Sequence, residues 1–452
     1  MLRIKTNIQQ YKALLMLGVP IVIGQVGVII LGFADTLMIG HHSTEELGAA
    51  SLVNTIFQLF LIFSLGYSFG LTPMVSDSYA RNDCRKAGEL VKNSLVANTL
   101  LSVIVMAVLA LIYFNLDKMG QPEELLPVMR PYYIVNFISV PFVLWFNSLK
   151  QFCDGMTDTR TPMWILLGGN VANIVCNYIL IYGKLGFPEM GLLGAGIATM
   201  GSRILMFAVL LALFMRRRRY ARFYEGFREG KVNAKDLRQV NAMGIPPACQ
   251  LGMEMAAFSL SGIMVGWLGT EALAAHQVTL TTAQICYMTY YGMSAAVAVR
   301  VSYFKGQEDY RQLRLTARCG FNLIFVMAFV TCIPLLLFRN QIGFVFTDNA
   351  DVTSYVAAAI YPLMAYQFGD ALQCNYSNAL RGISVVNPLI RIAFIAYFVV
   401  SLPMSYVLGI HMGYGLVGVW TAFPFALTIA GILYYRVFTR SVADMESRHS
   451  HA

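Results

Sequence analysis

Residues 18–40 read GVPIVIGQVGVIILGFADTLMIG, an apolar run long enough to cross a lipid bilayer as one helix. A transmembrane helix needs about 20 mainly apolar residues. Runs of this kind recur along the whole chain, which is 57% hydrophobic and only 13% charged, whereas soluble domains are about 25% charged. The sequence therefore indicates a polytopic membrane protein, and it excludes a cytosolic enzyme, a secreted disulfide scaffold and a disordered tail protein.

The apolar runs predict an all-α membrane protein with twelve transmembrane helices. Barrel strands alternate apolar and polar residues over about ten positions, and these runs do not alternate, so helices are favoured over a β-barrel. The predicted helices lie near 13–39, 48–76, 93–114, 131–150, 163–183, 190–215, 242–267, 274–299, 319–338, 354–380, 388–409 and 414–437.

The basic residues predict the orientation of these helices. Of the 33 Lys and Arg residues, Arg203 lies within a span and four lie in segments on one side, namely Lys118, Arg130, Lys184 and Arg339. All the others fall on the opposite side, including the run Arg216–Arg219. Because cytoplasmic loops are enriched in Lys and Arg, both termini are expected in the cytoplasm. This bias also accounts for the net charge of +9 without a nucleic-acid partner.

Two halves of the sequence match at a constant offset of 226 positions. Gly18-Val19-Pro20 aligns with Gly244-Ile245-Pro246, and Thr44-Glu45 aligns with Thr270-Glu271. Each half holds six predicted spans, so both halves enter the membrane in the same direction, as in parallel-repeat transporters. We expect an N-lobe at 1–215, a cytoplasmic linker at 216–241, a C-lobe at 242–438 and a cytoplasmic tail at 439–452.

Three acids interrupt the apolar spans. Asp35, Glu254 and Asp370 fall in predicted helices 1, 7 and 10, and their repeat partners are Ser261, Val28 and Leu144. An ionisable side chain in a bilayer is costly unless it faces a cavity or a partner. Since the scaffold repeats and the acids do not, the acids indicate a cation- or proton-binding site rather than shared packing.

Further polar residues accompany these acids along the predicted helices. Asn173 and Asn177 lie one turn apart on helix 5, and Gln284, Tyr287 and Tyr291 share a face of helix 8. Tyr366 and Gln367 precede Asp370 by one turn. Aromatic rings beside carboxylates would suit a lipophilic cation. For any single Asn or Gln, hydrogen bonding between helices is the alternative interpretation, and for Arg203 it is pairing or snorkelling.

The sequence resembles the multidrug and toxic compound extrusion (MATE) transporters, and among them the NorM-like bacterial branch. The resemblance covers roughly residues 10–438. It is carried by GFADTLMIG (32–40), NVANIVCNYILIYG (170–183), LAAHQV (273–278), YQFGDALQ (366–373) and ALRG (379–382). The resemblance implies a twelve-helix fold with two six-helix lobes. It also implies export of cationic, lipophilic drugs in exchange for Na⁺ or H⁺ across a bacterial inner membrane.

The resemblance also implies roles for single residues. Asp35 matches the family's acid in helix 1, and Glu254 and Asp370 match its coupling-ion acids, which would hold Na⁺ if the protein is sodium-coupled. Tyr287 falls where a helix 8 tyrosine approaches that ion in some members. Asn173 and Asn177 match the polar motif of helix 5, and with Asp35 they are expected to form a substrate or proton site in the N-lobe. Helix 8 departs from the family by its extra polar residues, which are Thr279, Thr281, Thr282, Tyr290 and Tyr291.

The sequence thus predicts a secondary antiporter with Gln284, Tyr291, Tyr366 and Gln367 as candidates to line a drug-binding cavity. It is expected to act as a monomer without a cofactor. Two alternatives stay open: a flippase for lipid-linked precursors, which would need a wider basic cavity, and a polytopic membrane transferase, which would need a paired acidic motif near the interface. Neither Na⁺ nor H⁺ is favoured as the coupling ion, because both can use the same carboxylates.

Overall fold

A computed structural model describes residues 2–119 and 125–450, and these residues are helical throughout apart from short connections, with no strand. The α-helices are α1 (Leu2–His42), α2 (Thr44–Ser68), α3 (Leu71–Ala80), α4 (Cys84–Tyr113), α5 (Leu126–Gly155), α6 (Arg160–Ile181), α7 (Gly191–Arg216), α8 (Ala221–Glu229), α9 (Ala234–Gly266), α10 (Thr270–Gly306), α11 (Tyr310–Leu337), α12 (Ala350–Gly382), α13 (Asn387–Phe394), α14 (Leu402–Ser405) and α15 (Gly415–Ser450).

The predicted all-α polytopic architecture is confirmed. Ten helical segments have the length and apolar composition to cross a membrane; α2 with α3 form one of them, and Asn387–His411, which includes α13 and α14, forms another. Two further long helices, α10 and α12, match the remaining predicted spans, but they are more polar than the other ten. Their polar side chains belong to the candidate site described below.

Two turns show that the repeat in the sequence is also a repeat in structure. Asp83 caps the start of α4 by accepting a hydrogen bond from the backbone of Lys86, and Asp309 caps α11 in the same way from Gln312, both at 2.9 Å. The residue before each cap has a positive φ, 61° at Asn82 and 59° at Glu308. An aspartate at this position satisfies one of the free N–H groups at a helix start. Equivalent turns therefore use equivalent residues.

The structured residues group into two compact units whose bounds differ from those of the predicted lobes. The N-terminal unit is Ile23–Ala248, and the C-terminal unit is Met1–Val22 with Cys249–Ala452. The first part of α1 packs within the C-terminal unit, where Gln10 bonds to Gln312, Arg300 and Thr316. The start of α9 packs within the N-terminal unit, where Asp236 pairs with Lys86 at 2.8 Å. The helices α1 and α9 are thus each divided between the two units. A hydropathy pattern does not show such a division. The division into transport lobes stays a prediction.

The predicted linker and tail also differ from the structure in detail. Within 216–241, α8 forms a short helix that packs on α4: an added Cβ at Gly88 would lie only 2.0 Å from the carbonyl oxygen of Phe223. The buried Tyr220 hydroxyl donates to Asp158 at 2.5 Å, and burial raises the pKa of Tyr220, so the hydroxyl stays a donor. The tail continues α15 as helix to Ser450, and its last two residues lie outside the described part of the chain.

Candidate cation site

The C-terminal unit holds a buried carboxylate, Asp370, on α12. Its side chain is 2% exposed, because Leu363, Gln367, Asp370 and Cys374 recur at helical spacing on the buried face of α12. The Tyr290 hydroxyl on α10 donates to Asp370 Oδ2 at 2.5 Å and lies 3.0 Å from Gln367 Oε1. One hydroxyl therefore joins two buried oxygen acceptors of neighbouring helical turns.

Glu254 on α9 completes an acidic pair with Asp370. Its side chain is partly buried, it interacts with the hydroxyl of Tyr397, and its charge acts on that of Asp370. Tyr397 in turn exchanges hydrogen bonds with the amide of Gln373, at 3.0 and 3.2 Å. The site is therefore a set of carboxylate, phenol and amide groups from α9, α10, α12 and the π-helical segment Ile395–Ser401.

Neither acid of this pair has a basic partner. Within residues 2–119 and 125–450, no Lys, Arg or His forms an ion pair with Glu254 or Asp370, although twelve such pairs occur elsewhere in the chain. Charged groups taken from water need compensation by an opposite charge or a proton. A mobile cation or a proton can supply that charge here, since no ion pair in the described part of the chain does so.

The groups around Asp370 are suitable oxygen ligands for a small hard cation. Gln367 is 0% exposed, and its Nε2 has no partner among the described residues, so the amide plane is held only through Oε1. No cluster of three His, Cys, Asp or Glu side chains suited to a metal ion occurs in the described ranges. A site for Na⁺ would consequently combine carboxylate oxygens with the amide oxygen of Gln367, whereas a proton would need only one carboxylate.

The predicted aromatic candidates lie close to this site but differ in their contacts. Tyr290, rather than Tyr287, donates to Asp370; the Tyr287 ring is partly buried and packs against the rings of Tyr290 and Tyr291, with centroids 5.7 and 5.4 Å apart. Tyr366 is buried against Phe258 and Trp420. Gln284 is exposed. The ligand roles assigned to these residues stay predictions.

The N-terminal unit holds the second predicted site, where Asp35 meets α6. Asn177 Nδ2 donates to Asp35 Oδ1 at 2.6 Å and to Asn173 Oδ1 at 2.9 Å. Asn173 Nδ2 then approaches Thr199 and Ser202 of α7 at 3.2 and 3.3 Å. Both asparagines are fully buried, whereas Asp35 is partly exposed. The structure thus brings together all three residues that the sequence assigned to this site.

Three contributors to these sites were not identified from the sequence as site residues. Tyr290 was noted only as a local departure, because α10 is buried on most of its surface and its pattern does not separate Tyr290 from Tyr287 and Tyr291. Tyr397 lies within an apolar run and gave no signal; it occupies a π-helical segment, a feature that is frequent at functional sites. Gln373, its partner, falls in the segment quoted around Asp370.

Comparison with known proteins identifies the family of this chain. A family model described as MatE matches residues 20–179 and 246–407, two blocks whose starts differ by the 226-residue offset of the repeat. The probable multidrug resistance protein NorM of Photorhabdus laumondii is 30% identical over 449 residues, 98% of each chain. The multidrug resistance protein NorM of Vibrio cholerae is 30% identical over 427 residues, 93% of each chain.

Solved structures show the same fold. An outward-facing multidrug resistance MATE family transporter of the MOP superfamily superposes with a TM-score of 0.88 at 19% identity, covering 97% of both chains. A MATE protein in complex with MaL6 gives the same TM-score, identity and coverage. This chain is therefore a multi-pass membrane protein of the MATE family, whose members are transporters rather than enzymes.

Proposed function

We propose that this protein is a secondary active multidrug efflux antiporter that exports cationic lipophilic compounds in exchange for Na⁺ or H⁺. The observation that supports this most directly is the acidic pair Asp370 and Glu254, which is buried or partly buried and has no basic partner in the described chain. The NorM relatives are named as multidrug resistance proteins. We further propose an inner-membrane location with both termini in the cytoplasm, and a monomeric protein without a cofactor.

The chemistry of exchange follows from the groups around Asp370. With the carboxylate ionised, the Tyr290 hydroxyl donates to it and stabilises the negative charge. A proton arriving at Asp370 makes the carboxyl a donor, and the Tyr290 hydroxyl is then free to donate to Gln367 Oε1 alone. A sodium ion would instead take oxygens of Asp370 and Gln367 as ligands. In both cases a positive charge arrives and local hydrogen bonds change partner.

Exchange requires that the drug cation and the coupling ion compete for the same negative charges. A drug cation and a coupling ion each gain from the negative charge of Glu254 and Asp370, and binding of one removes most of the electrostatic gain for the other. Glu254 is the more accessible acid and Asp370 the buried one. We therefore assign first contact with an arriving cation to Glu254 and retention of the coupling ion to Asp370.

Ethidium export from membrane vesicles tests this proposal. A Na⁺ gradient and a pH gradient are each imposed alone, and at least one of them should drive export. Asp370→Asn and Glu254→Gln should each lower gradient-driven export at least tenfold. Asp348→Asn, which changes an exposed acid in the connection that precedes α12, is the matched control and should leave export unchanged. Full export by Asp370→Asn and Glu254→Gln would contradict the proposal.

A further inference from the structure

Arg203 is a basic side chain in the apolar helix α7, inside the N-terminal unit. Its Nη1 donates to Ser139 Oγ at 2.6 Å and lies 3.4 Å from Asn136 Oδ1, both on α5. These two partners are uncharged. A guanidinium within a membrane span is costly unless an anion or a cavity compensates it. The contacts satisfy two hydrogen-bonding groups, but they leave the positive charge of Arg203 without a direct counter-charge.

The anion that acts on Arg203 is Asp35. The charges of the two side chains attract each other, yet they form no direct ion pair within the described residues. Asp35 Oδ1 is instead held by Asn177 at 2.6 Å. The chain of amides continues from Asn177 through Asn173 to Ser202, the residue that precedes Arg203 on α7. The hydrogen-bond chain of Asp35 therefore ends one residue from Arg203 on α7, and in the described part of the chain the guanidinium bonds to Ser139 and Asn136 of α5 and not to this chain.

We propose that Arg203 is a counter-cation of Asp35 that is fixed within the protein. The positive charge of Arg203 weakens the binding of mobile cations at this carboxylate and speeds their release. A monovalent cation that approaches Asp35 meets a carboxylate whose charge is already partly compensated, and it is also repelled by the guanidinium. In the described part of the C-terminal unit, no basic side chain forms an ion pair with Asp370 or Glu254. The two units would then differ in cation affinity, with loose binding at Asp35 and tighter binding at Asp370.

This inference rests on the proposed function for its meaning in transport, but binding alone can test it. The probe is tetraphenylphosphonium, a lipophilic cation with no titratable group, bound at equilibrium to the purified full-length protein in detergent. Arg203→Gln removes the charge and keeps a hydrogen-bond donor for Ser139, whereas Arg203→Lys keeps the charge and is the matched control. Arg203→Met serves as a second neutral variant if the glutamine variant does not fold.

The neutral variants should bind tetraphenylphosphonium at least fivefold more tightly than the wild type, and Arg203→Lys should stay within twofold. The gain should disappear when Asp35→Asn is added to either neutral variant. In export assays the neutral variants should lower KM and Vmax together, because tighter binding slows release; a purely structural loss would lower Vmax without tightening binding.

Unchanged or weaker binding by the folded neutral variants would overturn the inference, as would a gain that persists without Asp35. These results are separate from the proposed function. If the wild-type protein moves no ethidium under either ion gradient, the antiport proposal fails, while the comparison of dissociation constants still decides whether Arg203 opposes cation binding at Asp35.

Discussion

Removal of one hydroxyl, by Tyr290→Phe, separates the structural account of the cation site from the account based on family resemblance. The Tyr290 hydroxyl is 2.5 Å from Asp370 Oδ2 and 3.0 Å from Gln367 Oε1, and the Asp370 and Gln367 side chains are 2% and 0% exposed. The substitution keeps the ring, and so its packing with Met293 and Ala371, two members of the same core cluster, is retained. Only the donor to the carboxylate is lost.

The magnitude follows from the kind of hydrogen bond that is removed. A hydrogen bond to a charged group contributes about 1.5–3 kcal/mol. Loss of this donor destabilises ionised Asp370 relative to the form that holds a cation or a proton. The apparent affinity for the coupling cation should therefore rise about 10- to 100-fold, since each 1.4 kcal/mol is a factor of ten. Release of the coupling ion should slow, and Vmax of export should fall with its KM.

The assay is ethidium export from proteoliposomes as a function of coupling-cation concentration. Tyr287→Phe is the matched control, because Tyr287 lies one turn away on the same helix and its ring contacts that of Tyr290, with centroids 5.7 Å apart. We expect Tyr287→Phe to change the apparent cation affinity less than threefold. A large effect of Tyr287→Phe combined with none of Tyr290→Phe would refute the assignment of the donor and favour the role that the resemblance implies for Tyr287.

Three further predictions concern stability, measured by thermal unfolding of the purified protein in detergent. Asp83→Ala removes the cap of α4 and should cost about 1 kcal/mol, whereas Asp83→Asn, which can still accept the bond, should cost less. Lys86→Met leaves Asp236, whose side chain is 3% exposed, without its cation and should cost about 1–3 kcal/mol, because Lys86 itself is 37% exposed and Asn233 still donates to the carboxylate; an unchanged melting temperature would show that the pair is not formed. Gly88→Ala would place a Cβ against the Phe223 carbonyl oxygen and should cost about 1–3 kcal/mol, with faster proteolysis in α8; equal proteolysis would contradict the contact.

The sequence was sufficient for the fold because a bilayer leaves few alternatives. Uninterrupted apolar runs in lipid must be helices. The constant offset of 226 positions showed from the sequence that the two halves are repeats. The helices α10 and α12 were also counted as spans from their apolar runs, although they are more polar than the other predicted spans. The break at Gly70 between α2 and α3 and the π-helical turns after α13 were not predicted, since both lie inside continuous apolar runs.

The boundaries of the two units could not be predicted from the sequence, for a different reason. Gln10 bonds to three residues that lie about 300 positions later in the chain. Nothing in the local pattern around Gln10 distinguishes it from a solvated polar residue near a helix start. Its assignment to the C-terminal unit depends on which helices pack beside α1, and this is a tertiary fact that composition and periodicity do not contain.

The candidate site was predicted in part. An acid in an apolar run has few explanations, so Asp35 and Asp370 could be selected, and the spacing of Asn173 and Asn177 indicated a shared face. The choice among three tyrosines within one turn and a half of α10 could not be made. It depends on the rotation of α10 against α12, and a helix that is buried on most of its surface carries no amphipathic signal to fix that rotation.

The central claim is that Asp370 and Glu254 exchange a small cation for a drug cation. The most direct test loads proteoliposomes with ethidium and records Na⁺ or H⁺ entry on drug export, with each gradient imposed separately. The account predicts cation entry that depends on ethidium and is absent in Asp370→Asn liposomes. Ethidium export with no accompanying movement of either cation, or cation entry that is unchanged in Asp370→Asn, would contradict it.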